Sequence, residues 1–159
     1  MTRVAVTGHR LLPPATARLV DTALRHEIAL YPPATLEGLS CLADGADALF
    51  AQAILHAGAR LTAIVPCLGY REALPADHHD LYDILLGGAH HVIRLDHPES
   101  TADAHMDASA TMLAHADHLV AVWDGQPARG YGGTADVVEL ARERGIPVTV
   151  VWPSGATRD

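Results

Sequence analysis

The sequence predicts a doubly wound α/β fold, and three observations carry that expectation. Short β-rich runs alternate with longer helical patterns from one end of the chain to the other. Several runs are apolar on both faces, as in Val4-Ala5-Val6, Leu119-Val120-Ala121-Val122-Trp123 and Val148-Thr149-Val150-Val151-Trp152. Such runs suit parallel strands covered by helices on both sides. The 159 residues are 49% hydrophobic and 19% charged, which suits one core in a single domain spanning residues 1–159. With aromatics at 4% and one Phe, that core is built from Ala, Val, Leu and Ile.

The first strand, Arg3–Val6, leads to a helix over Ala15–Leu30, with Val20, Leu24 and Ile28 on one side and Arg18, Asp21 and Arg25 on another. A second strand, Thr35–Cys41, precedes a helix in Gly45–Gly58. There Ala46, Leu49, Phe50, Ala53, Ile54 and Ala57 form the apolar stripe, and Gly58 closes the helix. The third strand, Arg60–Val65, ends before Pro66. Leu68–Gly88 is the weakest pattern, with a short helix at Asp80–Leu86. His91–Leu95 is the fourth strand. Ser100–Ala116 is a helix opened by a Ser-Thr-Ala-Asp capping pattern. His118–Trp123 is the fifth strand, Thr134–Arg144 a helix stopped by Gly145, and Pro147–Trp152 the sixth strand. The expected result is three layers around five or six mostly parallel strands. No internal repeat, linker or low-complexity run interrupts them.

The formal net charge of −8 argues against a nucleic-acid partner, which calls for a basic face. All eleven cations are Arg, so no Walker A or Schiff-base lysine exists. Cys41 and Cys67 make neither a disulfide framework nor a metal motif. No apolar run spans a bilayer, and MTRVAVTGHR lacks a signal-peptide core. A cytoplasmic protein with no membrane partner is expected.

In doubly wound sheets the ligand sits beyond the carboxyl ends of the strands, so the loops there supply the candidate site. Thr7-Gly8-His9-Arg10 offers close backbone approach and a guanidinium fork. Ser40 to Asp47 leads through Gly45 into a helix start; Asp44 or Asp47 either caps that helix or meets a ligand. After Asp124, the turn Gly132-Gly133-Thr134 combines bare N–H groups with a hydroxyl, and Gly133 is expected at a φ that favours glycine. Together these turns suit a phosphate-bearing ligand. His78, His79, His90, His91, His97 and His105 lie among Asp77, Asp80, Asp96, Asp103 and Asp107. Lacking a ligand spacing on one element, they predict a solvated face, with no metal and no cofactor.

The runs VAVTGHR, GLSCLADGADALFAQA, ADHLVAVWDG and GYGGTADVVELARERGIPVTVVWP, in this order, resemble the SLOG superfamily of Rossmann-like nucleotide-binding domains. That superfamily includes the DNA-processing Smf proteins and the "Lonely Guy" phosphoribohydrolases. The resemblance covers nearly the whole chain and implies a Rossmann-like domain, often self-associating into a homo-oligomer, that binds a nucleotide or nucleotide-derived small molecule. It also implies ligand contacts at Gly8, Arg10, Gly45, Gly132, Gly133 and Thr134. The phosphoribohydrolases place a catalytic glutamate three residues after the threonine and an arginine nine residues before the Asp of the "AD" step. Here those places hold Val137 and Ala108. The expectation is therefore binding as a sensor or carrier rather than catalysis. The alternative is N-glycoside cleavage, of the phosphoribohydrolase or deoxyribosyltransferase kind, with Asp136, Glu139 or Asp47 as a displaced carboxylate.

Overall fold

Residues 1–158 are described by a computed structural model. Six strands form one sheet: β1 (Thr2–Gly8), β2 (Leu36–Ser40), β3 (Arg60–Cys67), β4 (His91–His97), β5 (His118–Val122) and β6 (Val148–Val151). Their order is β4-β3-β2-β1-β5-β6. Every neighbouring pair is parallel. The connecting helices are α1 (Pro14–Ile28), α2 (Ala46–His56), α3 (Tyr70–Ala73), α4 (His79–Gly88), α5 (Ala102–His115) and α6 (Thr134–Glu143).

Successive side chains of a strand point to opposite faces, and both faces here are buried. Val4, Val6, Leu61, Val65, Val120 and Val122 pack under α1, α2 and α4, against Val20, Leu24, Phe50, Ile54 and Leu85. Ala5, Leu39, Ile64 and Leu119 face the other way, against Ala108, Met112 and Leu113 of α5 and Val137 and Ala141 of α6. The architecture is a three-layer, doubly wound α/β sheet, as the apolar strands predict.

All six predicted strands and five predicted helices are present, with ends displaced by a few residues. The third strand continues through Pro66 to Cys67 instead of stopping before the proline. Its pairing with β4 shifts register between Val65 and Cys67. An irregularity of this kind is where an interior strand tolerates a residue with no N–H. In the weakly patterned Leu68–Gly88 stretch, α3 and a 3₁₀ turn at Ala76–His78 precede α4. The fourth major helix is capped by Thr101, whose Oγ accepts from the Ala104 N–H at 3.1 Å.

The chain steps outward from β1 to β4, returns through α5 to the far side of β1, and continues outward to β6. Strand order therefore reverses between β1 and β5. The crevice at such a reversal is the usual ligand position in open α/β sheets.

Candidate functional site

A cavity of about 330 Å³ opens at the carboxyl edge of the sheet over the ends of β1 and β5. Thr7, Gly8 and Arg10 form its floor. Cys41, Ala43 and Asp47 wall it on the β2 side, with Tyr70 of α3. Gly132, Gly133 and Thr134 wall the opposite side, where α6 begins, together with Arg129 and Arg158. His105, Ser109 and Met112 of α5 cover it. Its volume lies at the low end for small-molecule pockets.

Two glycines let the loops meet. A Cβ on Gly8 would lie 2.4 Å from Ala46 Cβ and 2.8 Å from Val122 Cβ, so α2 and β5 close on β1 only because it is absent. Gly45 has φ 84° and ψ −131°, and a Cβ there would lie 2.6 Å from the His9 carbonyl oxygen. That carbonyl accepts from the Ala46 N–H at 3.2 Å. Gly8→Ala is expected to cost about 1–3 kcal/mol by overpacking. Urea denaturation checks this, and an unchanged midpoint would show that α2 can move away freely.

His9 ties four elements together. Its ring is buried, and Nε2 accepts from the Asp124 N–H at 3.0 Å. Nδ1 lies 3.3 Å from Thr134 Oγ, and the ring packs edge-on against Trp152 at 5.5 Å. Burial first, then the charge of Arg158, hold its pKa below the ordinary value. Asp124, whose Oδ1 lies 3.1 Å from Nε2, pulls the other way. Desolvation opposes ionisation of Asp124, but the Gln126 N–H, which donates to Oδ1 at 3.0 Å, and the charges nearby, Arg158 among them, prevail and hold its carboxyl below the usual range.

The cavity has two electrically different ends. Arg129, Arg158 and the dipole of the α6 N-terminus favour an anion at one end, although the Gly132 and Gly133 N–H groups, expected to be bare, already donate to Asp136 and to the Gly130 carbonyl. Asp47, Cys41 and Tyr70 stand at the other, with Arg10 between them. Burial pushes the Asp47 carboxyl up to about 7. It also raises the Cys41 thiol and the Tyr70 hydroxyl well above their ordinary values, with Asp47 adding to both shifts. His105 is lowered by burial and by Arg10.

Backbone strain gathers in the same loops. Among the described residues, the non-glycine positions with positive φ are Leu11 (51°) and Leu42 (60°). Leu11 lines the cavity, and Leu42 lies between Cys41 and Ala43, which also line it. Leu42 is fully buried; its N–H donates to Ser40 Oγ at 3.1 Å and its carbonyl accepts from His78 Nε2 at 2.9 Å. Those bonds offset a conformation costing about 1–3 kcal/mol.

Of the residues singled out in the sequence, Thr7, Gly8, Arg10, Asp47, Gly132, Gly133 and Thr134 line the cavity. Ser40 does not; it is fully buried, and its Oγ donates to the Asp47 carbonyl at 3.0 Å. Gly45 borders a separate groove beside α2. Asp124 serves His9. Neither Asp44 nor Asp47 caps α2, whose N-cap is Gly45. Asp44 instead holds Arg10, with Oδ1 accepting from Nε at 2.9 Å, while Oδ2 accepts from the Leu11 N–H at 3.1 Å. The expected glycine-favouring φ belongs to Gly132 (84°), whereas Gly133 lies at −70°. Asp136 accepts from the Gly132 N–H at 2.9 Å and so closes the turn. Glu139 is exposed on the outside of α6.

Sequence reasoning missed Tyr70, Ser109, Arg129 and Arg158 as wall residues. Ser109 lies inside α5 and Arg158 beyond the last strand, where no local signal marks them, whereas Arg129 beside Gly130 and Tyr70 after Gly69 adjoin glycines that could have drawn attention to them. The histidine-rich segment separates into individual contacts. His79 Nε2 donates to the Leu74 carbonyl, His97 pairs with Asp107 at 2.7 Å, and His105 meets Ser100 Oγ at 2.7 Å. Among the described residues, no group of three or more His, Cys, Asp or Glu is placed to hold a metal ion. Nor is any described helix long and apolar enough to cross a membrane.

No protein-family model matches the sequence, and no curated protein matches it. Solved structures share the fold. DNA processing protein A from Streptococcus pneumoniae superposes with a TM-score of 0.70 at 19% identity, over 98% of this chain and 52% of that one. This chain thus spans about half the length of that protein. The protein of the same name from Helicobacter pylori, described for its single-stranded DNA binding mode, gives 0.68 at 16% identity, over 98% of this chain and 68% of that one. A molybdenum cofactor binding protein from Rippkaea orientalis gives 0.59 at 16% identity, over 94% and 75%. Likeness at such identities is a likeness of fold. The chain shares the three-layer Rossmann-like fold of these proteins, the fold that the sequence resemblance implies.

Proposed function

We propose that the protein binds a phosphate-bearing nucleotide or nucleotide-derived small molecule in the cavity over β1 and β5, without cleaving its glycosidic bond. The observation that carries this reading is electrostatic. A chain of net charge −8 gathers three arginines and a helix N-terminus around a cavity that contains one carboxylate. A phosphate at the α6 end gains charge-assisted hydrogen bonds there. The same charge distribution argues for a small anion rather than a nucleic-acid strand, since these basic side chains gather around one cavity instead of along a face. Asp136 is committed to the Gly132 turn and Glu139 faces outward, which leaves neither beside a bound sugar.

Calorimetric titration with nucleoside mono- and diphosphates tests the reading. Arg158→Ala is expected to weaken the preferred nucleotide about ten- to a hundredfold, or roughly 1.5–3 kcal/mol, by removing a charged donor. Arg10→Ala costs less, roughly 0.5–1.5 kcal/mol, because Asp44 holds Arg10 at 2.7 Å, a closer pairing than the 4.0 Å between Arg158 and Asp124. Chromatography of the same mixtures is expected to show no free base above a buffer control. No binding by the wild type would overturn the reading, and released base would replace it with the hydrolytic one.

A further inference from the structure

Resting on that reading, we infer that the end of the cavity opposite Arg129 and Arg158 is a base-recognition subsite. Asp47 there accepts two hydrogen bonds from a heterocycle that presents an N–H and an amino group side by side, the 2-amino-4-oxopyrimidine edge of guanine. Asp47 stands on the second residue of α2, at the β2 side of the cavity. The phosphate position at the start of α6 lies across the end of β1 from it. A mononucleotide laid over β1 therefore brings its base to Asp47 when its phosphate meets Arg129 and Arg158.

The carboxyl is left for a ligand. Arg10, the nearest cation, is paired to Asp44 and makes no ion pair with Asp47 among the described residues. The Ala43 N–H is the protein donor that reaches Asp47. Its other neighbours are the Cys41 thiol and the Tyr70 hydroxyl, both walls of the same cavity and both held protonated by burial. An acid in this setting sits near neutrality because desolvation opposes its charge. Two ligand donors remove that opposition and favour the ionised form. An ionised carboxylate offers acceptors only. It therefore matches the paired donors of guanine and mismatches adenine, whose edge presents one donor and one acceptor. Sites that hydrogen-bond a ligand group discriminate strongly against analogues lacking it, because the buried partner is left unpaired.

The test is calorimetric titration of the whole chain with guanosine, inosine and adenosine monophosphates, which share phosphate and ribose. Wild type is expected to bind the guanine nucleotide at least tenfold more tightly than the adenine nucleotide, with the inosine nucleotide between them, since it lacks the amino group. In Asp47→Asn the guanine preference is expected to fall below about threefold, with adenosine monophosphate bound at least as tightly as by wild type, since the Asn amide offers one acceptor and one donor to the adenine edge. That retained binding shows that the variant is folded and its phosphate end intact. Should the variant not fold, the wild-type preference alone decides. Equal binding of the three nucleotides by wild type, or a guanine preference that survives Asp47→Asn, would overturn the subsite while leaving phosphate binding standing. Failure of all three to bind would overturn both.

Discussion

Phe50→Ala is expected to lower the folding free energy by about 3–5 kcal/mol, the range for removing a fully buried aromatic ring. Phe50 is the chain's single phenylalanine and is completely buried where α2 lies on the sheet. Its ring edge reaches β2, where a Cβ on Gly38 would lie 3.1 Å away. The size of the effect comes from its surroundings. The other buried residues of α2 are Ala46, Ala48, Ala51, Ala53 and Ile54, and alanines have no atoms to swing into a vacated space. The hole stays open, so loss of contacts adds to loss of burial. Urea denaturation of wild type, Phe50→Ala and Phe50→Leu measures this, with the leucine variant losing less than half as much. A loss below about 1 kcal/mol in the alanine variant would show that α2 settles onto the sheet and that the close-packing argument is wrong.

His9→Ala is expected to cost about 2–4 kcal/mol. The truncation leaves the Asp124 N–H without its acceptor, worth roughly 1–3 kcal/mol when buried. It also removes the edge-on contact with Trp152, worth about 0.5–1.5 kcal/mol. The sign of the accompanying pH effect follows from the lowered pKa of the ring. A folded-state value below 6.5 means that the fold favours neutral imidazole. Its contribution is fully present above the unfolded value and is lost as pH falls through the folded one. Asp47 acts oppositely: with its folded value near 7 against 3.8, stability rises as pH falls between those values. The difference between wild type and His9→Ala isolates the histidine, and it is expected to narrow as pH falls below 6.5. A constant difference across that window would show that His9 is not desolvated in the folded protein.

The same packing links stability to the proposed binding. His9 holds the end of β1 against the start of α6, and Gly8 and Gly45 bring the loops after β1 and β2 into contact. Both arrangements fix the spacing between the arginine end of the cavity and Asp47. A ligand that spans the two ends therefore meets a site already in place, which lowers the ordering cost of binding.

The fold class was legible in the sequence by itself because it depends on local periods. Two-faced apolar runs such as Leu119 to Val122 mark buried parallel strands, and the stripe Ala46, Phe50, Ala53, Ile54 marks a helix lying on them. Parallel strands then put the loops after β1, β2 and β5 at one edge, which is how seven of the named site residues came to line one cavity. Which charges face that cavity was decided only by tertiary structure. Asp44 and Asp47 are interchangeable as a pattern, yet one holds Arg10 from 34 residues away while the other faces the cavity beside Cys41 and Tyr70. Arg158 reaches the site from beyond the last strand, and Tyr70 from a segment with almost no pattern. Period and turn chemistry act over a few residues, whereas pairing and desolvation of a side chain depend on which distant elements close upon it.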